Sequence, residues 1–423
     1  MGMDPAIITL LVMGIVAVLM ATEIIPLAVT AMCAAVSLCL LGVLTPAQAF
    51  AGLSNSTVVL FAGMFVVGEA MFATGLAHKI AVTVVHAVGT GERRLMSAIM
   101  ALTVVKSATA SNTATVACLM PVVNQICSTA KIPVSPQLMA LAIAANVGGT
   151  ITLIGTPPNV MMSAALDTAG YTPFSFFEFA LIGVPLSLVG ILYMVLIGQR
   201  LCPQNFSKLK KEELAEETAY SGKKMLICAT IIIAVVIGML YEKELGIPLH
   251  VISVIGALAC VLTGCLSEEE AYRGIDWVTI FLFAGMLPVA SAMEMTGAGR
   301  MIANAVMDLA GSSPSPYLLT FLMFLISCGL TQFMSNTAAA ALLAPIGISI
   351  SSAIGVSPYP VLMSIGIAAS CAFTTPMATP PNTLVMAPGQ LKFMDYVKVG
   401  LPLAVLSMLL CVVLIPIFWP FYP

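Results

Sequence analysis

The sequence predicts an all-α polytopic membrane protein of about ten transmembrane helices in two inverted-topology repeats, each with one re-entrant hairpin and one broken helix. Three observations carry this expectation. Apolar residues make up 60% of the 423-residue chain and charged residues 8%, with a mean hydropathy of +1.07. That balance excludes an ordinary soluble domain. Many apolar stretches approach the roughly 20 residues a helix needs to cross about 30 Å of hydrocarbon. Two polar motifs each occur twice: Ser111-Asn112-Thr113 returns as Ser335-Asn336-Thr337, and Thr156-Pro157-Pro158-Asn159 returns as Thr379-Pro380-Pro381-Asn382.

In chain order, the spans expected in the first half are about 5–22, 24–43, 55–75, 136–155 and 178–198. The start carries no basic region, so the first stretch reads as a retained span and not a cleaved signal. In the second half the expected spans are about 224–241, 249–265, 277–297, 360–377 and 399–419. Between the third and fourth spans of each half lie two shorter apolar pieces, at 95–127 and 317–350, which meet at the two Ser-Asn-Thr motifs. Each piece is too short to cross comfortably, so both read as re-entrant hairpins. Non-helical backbone at that depth survives only where it is buried in protein or lines a cavity.

The repetition extends beyond the motifs. Leu44-Thr45-Pro46-Ala47-Gln48-Ala49-Phe50 answers Leu266-Ser267-Glu268-Glu269-Glu270-Ala271-Tyr272, and Phe61-Ala62-Gly63-Met64 recurs as Phe283-Ala284-Gly285-Met286. Thr74-Gly75 recurs as Thr296-Gly297, and Pro121 as Pro345. The chain therefore divides into repeat 1 (1–198), a connecting loop (199–224) and repeat 2 (225–423). Five crossings per copy is an odd number, so the second copy enters the membrane upside down, an arrangement common in secondary transporters.

Charge sets the expected orientation. The 199–224 loop carries Arg200, Lys208, Lys210, Lys211, Lys223 and Lys224, and basic residues favour the cytoplasm. Lys79, Arg93, Arg94, Lys131, Arg273, Lys392 and Lys398 then also fall inside, and only Lys243 and Arg300 outside. Both termini are placed outside, hairpin one enters from the cytoplasm and hairpin two from outside, and their tips meet near the midplane. The loop itself is expected to be an amphipathic surface helix. The net charge of −3 carries no information about partners, and no nucleic-acid partner is expected. The 11 cysteines are scattered through apolar segments without ligand spacing and read as packing residues.

The doubled motifs point to ion and anion binding. A Ser-Asn-Thr tip offers hydroxyls, an amide and the free N–H groups of a helix start. Helix N-termini attract anions, and C-terminal carbonyls attract cations. Thr-Pro-Pro is incompatible with continuing the preceding helix, which frees carbonyls near Gly155 and Ala378. Ser107 and Thr331 each lie four residues before a tip serine, one turn back on the same face. Two sodium sites with one anion between them are expected.

On both Ser-Asn-Thr tips, the Gly155–Asn159 and Ala378–Asn382 breaks and the ending Tyr396–Leu403, the sequence resembles the divalent anion/sodium symporter (DASS) family. This family includes sodium–dicarboxylate, sodium–citrate and sodium–sulfate cotransporters. The resemblance covers nearly the whole chain. It implies a homodimer with a scaffold domain and an elevator-type transport domain. It implies sodium one at Ser107, Ser111, Asn112 and the Gly155 carbonyl, and sodium two at Thr331, the Met334 carbonyl, Asn336 and the Ala378 carbonyl. Substrate carboxylates would meet Asn112, Thr113, Ser335, Asn336, Thr337, Thr379 and Pro380. The extra N-terminal span common in the family has no counterpart here, because the first span already matches the sixth. The polar stretch Phe373-Thr374-Thr375-Pro376-Met377 keeps sulfate or another oxyanion open beside a C4-dicarboxylate. The expected function is sodium-coupled symport of a small divalent anion, a C4-dicarboxylate first, across the cytoplasmic membrane; sodium-independent exchange is also compatible with the motifs.

Four charged residues fall in apolar sequence: Glu23 and Glu294 near span ends, Glu69 inside the third span, and Lys106 five residues before the first tip. Intramembrane charge marks function by default. Lys106 fits either a lysine facing an aqueous vestibule or a positive charge that aids anion entry or tunes the first sodium site. A titrating antiporter is disfavoured because neither break carries Asp or Glu. An enzyme is not expected, because no nucleophile–base pair or metal cluster appears and His78, His86 and His250 all lie near span ends.

Overall fold

The computed structural model describes residues 4–22, 24–76, 79, 91–206, 221–299, 301 and 315–422. Among these the chain is helical, with no strand. The first half runs α1 (Pro5–Thr22), α2 (Leu27–Leu40), the short α3 (Pro46–Phe50), α4 (Ser56–Ala73), the hairpin α5 (Glu92–Ser107) and α6 (Asn112–Ala130), α7 (Val134–Gly149), α8 (Pro157–Thr168) and α9 (Ala180–Tyr193). The second half runs α10 (Gly222–Leu240), α11 (Leu249–Leu262), α12 (Glu268–Gly274), α13 (Trp277–Thr296), the hairpin α14 (Pro316–Leu330) and α15 (Asn336–Ile354), α16 (Pro358–Ser370), α17 (Pro380–Met386) and α18 (Phe393–Phe418).

Local chemistry explains the boundaries. Thr45 and Gln48 form a capping box at the start of α3, and Ser267 and Glu270 form the matching one at α12. Asn55 caps α4 and Asp276 caps α13. Gly297 and Gly355 end α13 and α15 with φ of 76° and 72°, a conformation that costs other residues more.

Among the described residues, seven helices are long and apolar enough to cross a membrane. Five are expected spans: the Pro46–Ala73 unit holding α4, then α9, α10, α13 and α18. The other two are α6 and α15, the second arms of the hairpins, each of 19 residues. Only the first arms, α5 with 16 residues and α14 with 15, are as short as expected. The tip motif sits off-centre in each apolar run, which the run length alone conceals.

Two further expectations are corrected. The fourth span of each half stops early, at Gly149 and Ser370 instead of near 155 and 377. The prolines do not end these helices; they occupy the first turn of α8 and α17, where a missing N–H costs nothing. Only the residue before them is forced extended, Thr156 at φ −149° and Thr379 at φ −143°. The 199–224 segment is also shorter than expected. Gln199–Leu201 continues the α9 helix, and α10 begins at Gly222. The predicted amphipathic helix, together with Glu23, His78, His86 and Arg300, falls outside the described residues.

Packing places α7 and α16 at the centre. All 16 residues of α7 are buried, as are all of α16 except Tyr359. Lipid tails are as apolar as leucine, so such helices are held by close packing of small residues. Ala140, Ala142, Ala144, Ala145, Gly148 and Gly149 supply them on α7. The repeated Phe-Ala-Gly-Met segment has the same purpose: a Cβ on Gly63 would lie 2.8 Å from Ser253 Oγ on α11, and one on Gly285 would run into the Ala31 backbone of α2. Thus α4 packs on α11 and α13 on α2. Likewise α8 packs on α15 and α17 on α6, so each break helix sits against the hairpin arm of the other half. The outward faces of α1, α10 and α18 present Leu11, Ile15, Ile233, Ile237, Leu409 and Val413.

Candidate functional site

The exchange of α8 and α17 between halves brings four helix starts to one place. A cavity of about 240 Å³ is lined by Ser111, Asn112 and Thr113 from the first tip and Ser335, Asn336 and Thr337 from the second. Gly155, Thr156 and Pro157 line it from the first break, and Ala378, Thr379, Pro380 and Pro381 from the second. Every residue expected to meet substrate carboxylates is therefore on its wall. The N-terminal N–H groups of the long helices α6 and α15 open beside it and supply positive potential without a buried countercharge.

Two oxygen clusters sit behind the tips. Ser107 Oγ contacts the Asn112 side-chain oxygen and lies 2.8 Å from the Ala145 carbonyl. Thr331 Oγ1 lies 2.5 Å from Asn336 Oδ1 and 2.9 Å from the Ala369 carbonyl. Ser107 and Thr331 are fully buried and reach the cavity through their asparagines. A Cβ placed on Gly149 would be 2.8 Å from Asn112 Oδ1 and 3.0 Å from the Gly155 carbonyl, so those two oxygens converge on one backbone point. Ser111 and Ala378 line the cavity directly. Met334 is buried just before the Ser335 cap.

The breaks are pinned by the asparagine that ends each motif. Asn159 Nδ2 donates to the carbonyls of Gly149 and Thr152 at 3.2 and 2.8 Å. Asn382 Nδ2 donates to Ala372 and Thr375 at 2.9 Å each. These bonds replace the helix ladder across 150–156 and 371–379, which would otherwise leave buried carbonyls unpaired.

Sequence reasoning missed three contributors. Gln332 ties the second tip to its break: its Oε1 accepts from the Thr374 N–H at 3.1 Å and Oγ1 at 2.5 Å, and its backbone carbonyl accepts from Thr375 Oγ1 at 2.9 Å. Both hydroxyls of the polar Thr374-Thr375 pair are thereby hydrogen-bonded to Gln332. Asn146, in the otherwise apolar second half of α7, also lines the cavity. One face of α4 completes the wall with Phe61, Met64, Phe65, Gly68, Glu69 and Phe72, and a helical spacing of three and four was the available signal.

Of the flagged charges, Glu69 lines the cavity beside Gly274 and Asp276. Asp276 turns both oxygens to Thr279, accepting from its N–H at 3.2 Å and its hydroxyl at 2.5 Å. Lys106 is 4% exposed, with Nζ 3.8 Å from Cys118 Sγ and 5.6 Å from the Phe72 ring centroid. It does not face an open vestibule. Glu294 is exposed at the end of α13.

Comparison with known proteins identifies transporters as relatives. The family model described as citrate transporter matches residues 17–355 and 309–422. A relative in Escherichia coli strain K12, named as the uncharacterized transporter YfbS, is 25% identical over 97% of this chain and 98% of its own length. The sodium-dependent dicarboxylate transporter SdcS of Staphylococcus saprophyticus is 26% identical over 93% of this chain and 82% of its own. Among solved structures, the YdaH transporter of Alcanivorax borkumensis superposes with a TM-score of 0.69 at 14% identity, covering 99% of this chain and 100% of that one. MtrF of Neisseria gonorrhoeae superposes at 0.63 and 15% identity, covering 88% and 84%. The protein is a multi-pass membrane transporter, and it belongs to the citrate transporter family, in keeping with its resemblance to the divalent anion/sodium symporters.

Proposed function

We propose that the chain is a secondary active transporter that carries a small divalent anion, of the C4-dicarboxylate type such as succinate, malate or fumarate, in symport with sodium across the cytoplasmic membrane. The observation that carries this reading is the single cavity walled by both tips and both breaks. Its donors are neutral hydroxyls, amides and N–H groups, which bind an anion without a buried countercharge. The Ser107 and Thr331 clusters suit sodium. A hydroxyl has one proton and donates to only one of the two carbonyl oxygens it faces, so a cation satisfies the rest. The relative SdcS is a sodium-dependent dicarboxylate transporter, which supports this reading.

In this reading sodium one is held by Ser107, Ser111, Asn112 and the Gly155 carbonyl, and sodium two by Thr331, Asn336 and the carbonyls of Met334 and Ala378. The swapped pairs α4–α11 with α13–α2, and α8–α15 with α17–α6, support two inverted copies about a pseudo-twofold axis. Transport would move the hairpins and break helices as an elevator against a scaffold in a homodimer, with both termini outside.

The test is uptake of labelled succinate and labelled sulfate into proteoliposomes, each with and without an inward sodium gradient. Sodium-dependent succinate accumulation that is lost in Asn112→Ala or Asn336→Ala is the expected result. Sulfate accumulation instead would change the substrate, and sodium-independent exchange against internal anion would remove both sodium sites.

A further inference from the structure

We infer that Asn146 is a positioning residue that fixes the Thr379 hydroxyl as a hydrogen-bond donor to one end of the bound anion; the inference rests on the substrate site proposed above.

The hydrogen bonds can be assigned from their far end. Asn382 turns its NH2 to the Ala372 and Thr375 carbonyls, so its Oδ1 faces the other way. That oxygen takes the Asn146 Nδ2 donor at 3.2 Å, which sets the Asn146 amide as well. The same Nδ2 lies 3.3 Å from Thr379 Oγ1, and the Asn382 backbone N–H reaches that oxygen at 3.4 Å. A hydroxyl oxygen has two lone pairs and one proton. Both lone pairs of Thr379 are met by N–H donors, and no acceptor for its proton occurs among the described residues. Thr379 lines the cavity, so its proton is directed to where a carboxylate would sit.

The cost of the arrangement argues against simple packing. Asn146 is 1% exposed, and its Oδ1 meets no donor. A buried amide left half-satisfied is less stable than an alanine that fills the helix contact. The second copy does without it. Ala145 and Ala369 accept from Ser107 and Thr331 alike, which puts Ser370 where Asn146 stands. Ser370 turns its hydroxyl back to the Gly366 carbonyl at 3.4 Å. There Asn159 Oδ1 has no donor, and the Thr156 side chain caps nothing. One threonine of the pair is oriented and the other is not, so the two ends of the anion are held unequally.

The experiment is a double-mutant cycle on Asn146→Ala and Thr379→Val, read as KM and Vmax for succinate uptake at saturating sodium. Each single variant is expected to raise KM about tenfold, the effect of losing one hydrogen bond to a charged group. The double variant should also stand about tenfold above wild type, because both changes remove the same bond. Asn146→Ser, which copies the other half of the chain, supplies the same reading if the alanine variant does not fold. Multiplicative loss near a hundredfold, or an unchanged KM with a lower melting temperature, would overturn the assignment. Wild-type protein that takes up no dicarboxylate would instead overturn the function proposed above, and this inference with it.

Discussion

Thr331 Oγ1 lies 2.5 Å from Asn336 Oδ1 and 2.9 Å from the Ala369 carbonyl, three oxygens with a single hydroxyl proton among them. In the proposed reading a sodium ion relieves that crowding. Thr331→Val keeps the shape of the side chain and removes the oxygen. The sodium concentration for half-maximal uptake is expected to rise at least about tenfold, the loss of one charge-assisted contact. KM for the anion at saturating sodium should change little. Sodium titration of uptake checks this, and an unchanged sodium response would place the second ion elsewhere.

Gln332 fastens the second tip to residues 371–375 through both ends of its amide, with Nε2 donating to the Cys328 carbonyl at 2.9 Å and the Cys371 carbonyl at 3.4 Å. Gln332→Leu leaves the Thr374 N–H and hydroxyl without their anchor in a half-buried position. Stability should fall by about 1–3 kcal/mol. Thr374→Val should lower the melting temperature by less and leave the succinate-to-sulfate preference unaltered. A changed preference in Thr374→Val would return that hydroxyl to the substrate site.

How far the sequence reached depends on the kind of signal each feature leaves. The tips and breaks were readable because polar residues and prolines interrupt apolar runs, and because each occurs twice. Ser107 and Thr331 stand out by their spacing of four from the tip serines, but helical periodicity is not the reason. Ser107 ends α5 and Thr331 caps α14, whereas Ser111 and Ser335 cap the helices that follow. Gln332, Asn146 and Asp276 act through partners 42, 233 and 3 residues away, respectively, and the first two contacts depend on a fold that periodicity does not encode. The end of α7 was placed six residues late for a related reason. Its stop comes from the Asn159 bonds to Gly149 and Thr152, and proline marks only the start of the next helix.

Gly285 makes a sharper steric prediction than any polar residue. A Cβ there would collide with the backbone of Ala31, whose atoms have no rotamer to adopt. Gly285→Ala should destabilise by at least about 1–3 kcal/mol, the cost of overpacking. Gly14→Ala on the outer face of α1, with nothing within 4 Å, should be neutral or slightly favourable. Melting of the two purified variants in detergent separates these outcomes. Equal behaviour would mean that α2 and α13 do not pack as described.

The matched capping boxes of α3 and α12 give the cleanest test of inverted topology. Thr45–Gln48 and Ser267–Glu270 share sequence position within their halves and hydrogen-bond pattern, yet the proposed arrangement puts α3 outside and α12 in the cytoplasm. Ala47 and Glu269 are both exposed on these short helices. Glu269 contributes only a surface ion pair with Arg273 at 2.6 Å, so replacing it should cost under about 1 kcal/mol. In a cysteine-free background, Ala47→Cys in intact cells should react with a membrane-impermeant maleimide, and Glu269→Cys should react only after the membrane is opened. Labelling of both from outside would mean parallel copies, and would remove the pseudo-twofold relation on which the pairing of the two sodium sites depends. Labelling of Glu269→Cys alone would keep the relation and reverse the orientation inferred from the basic residues.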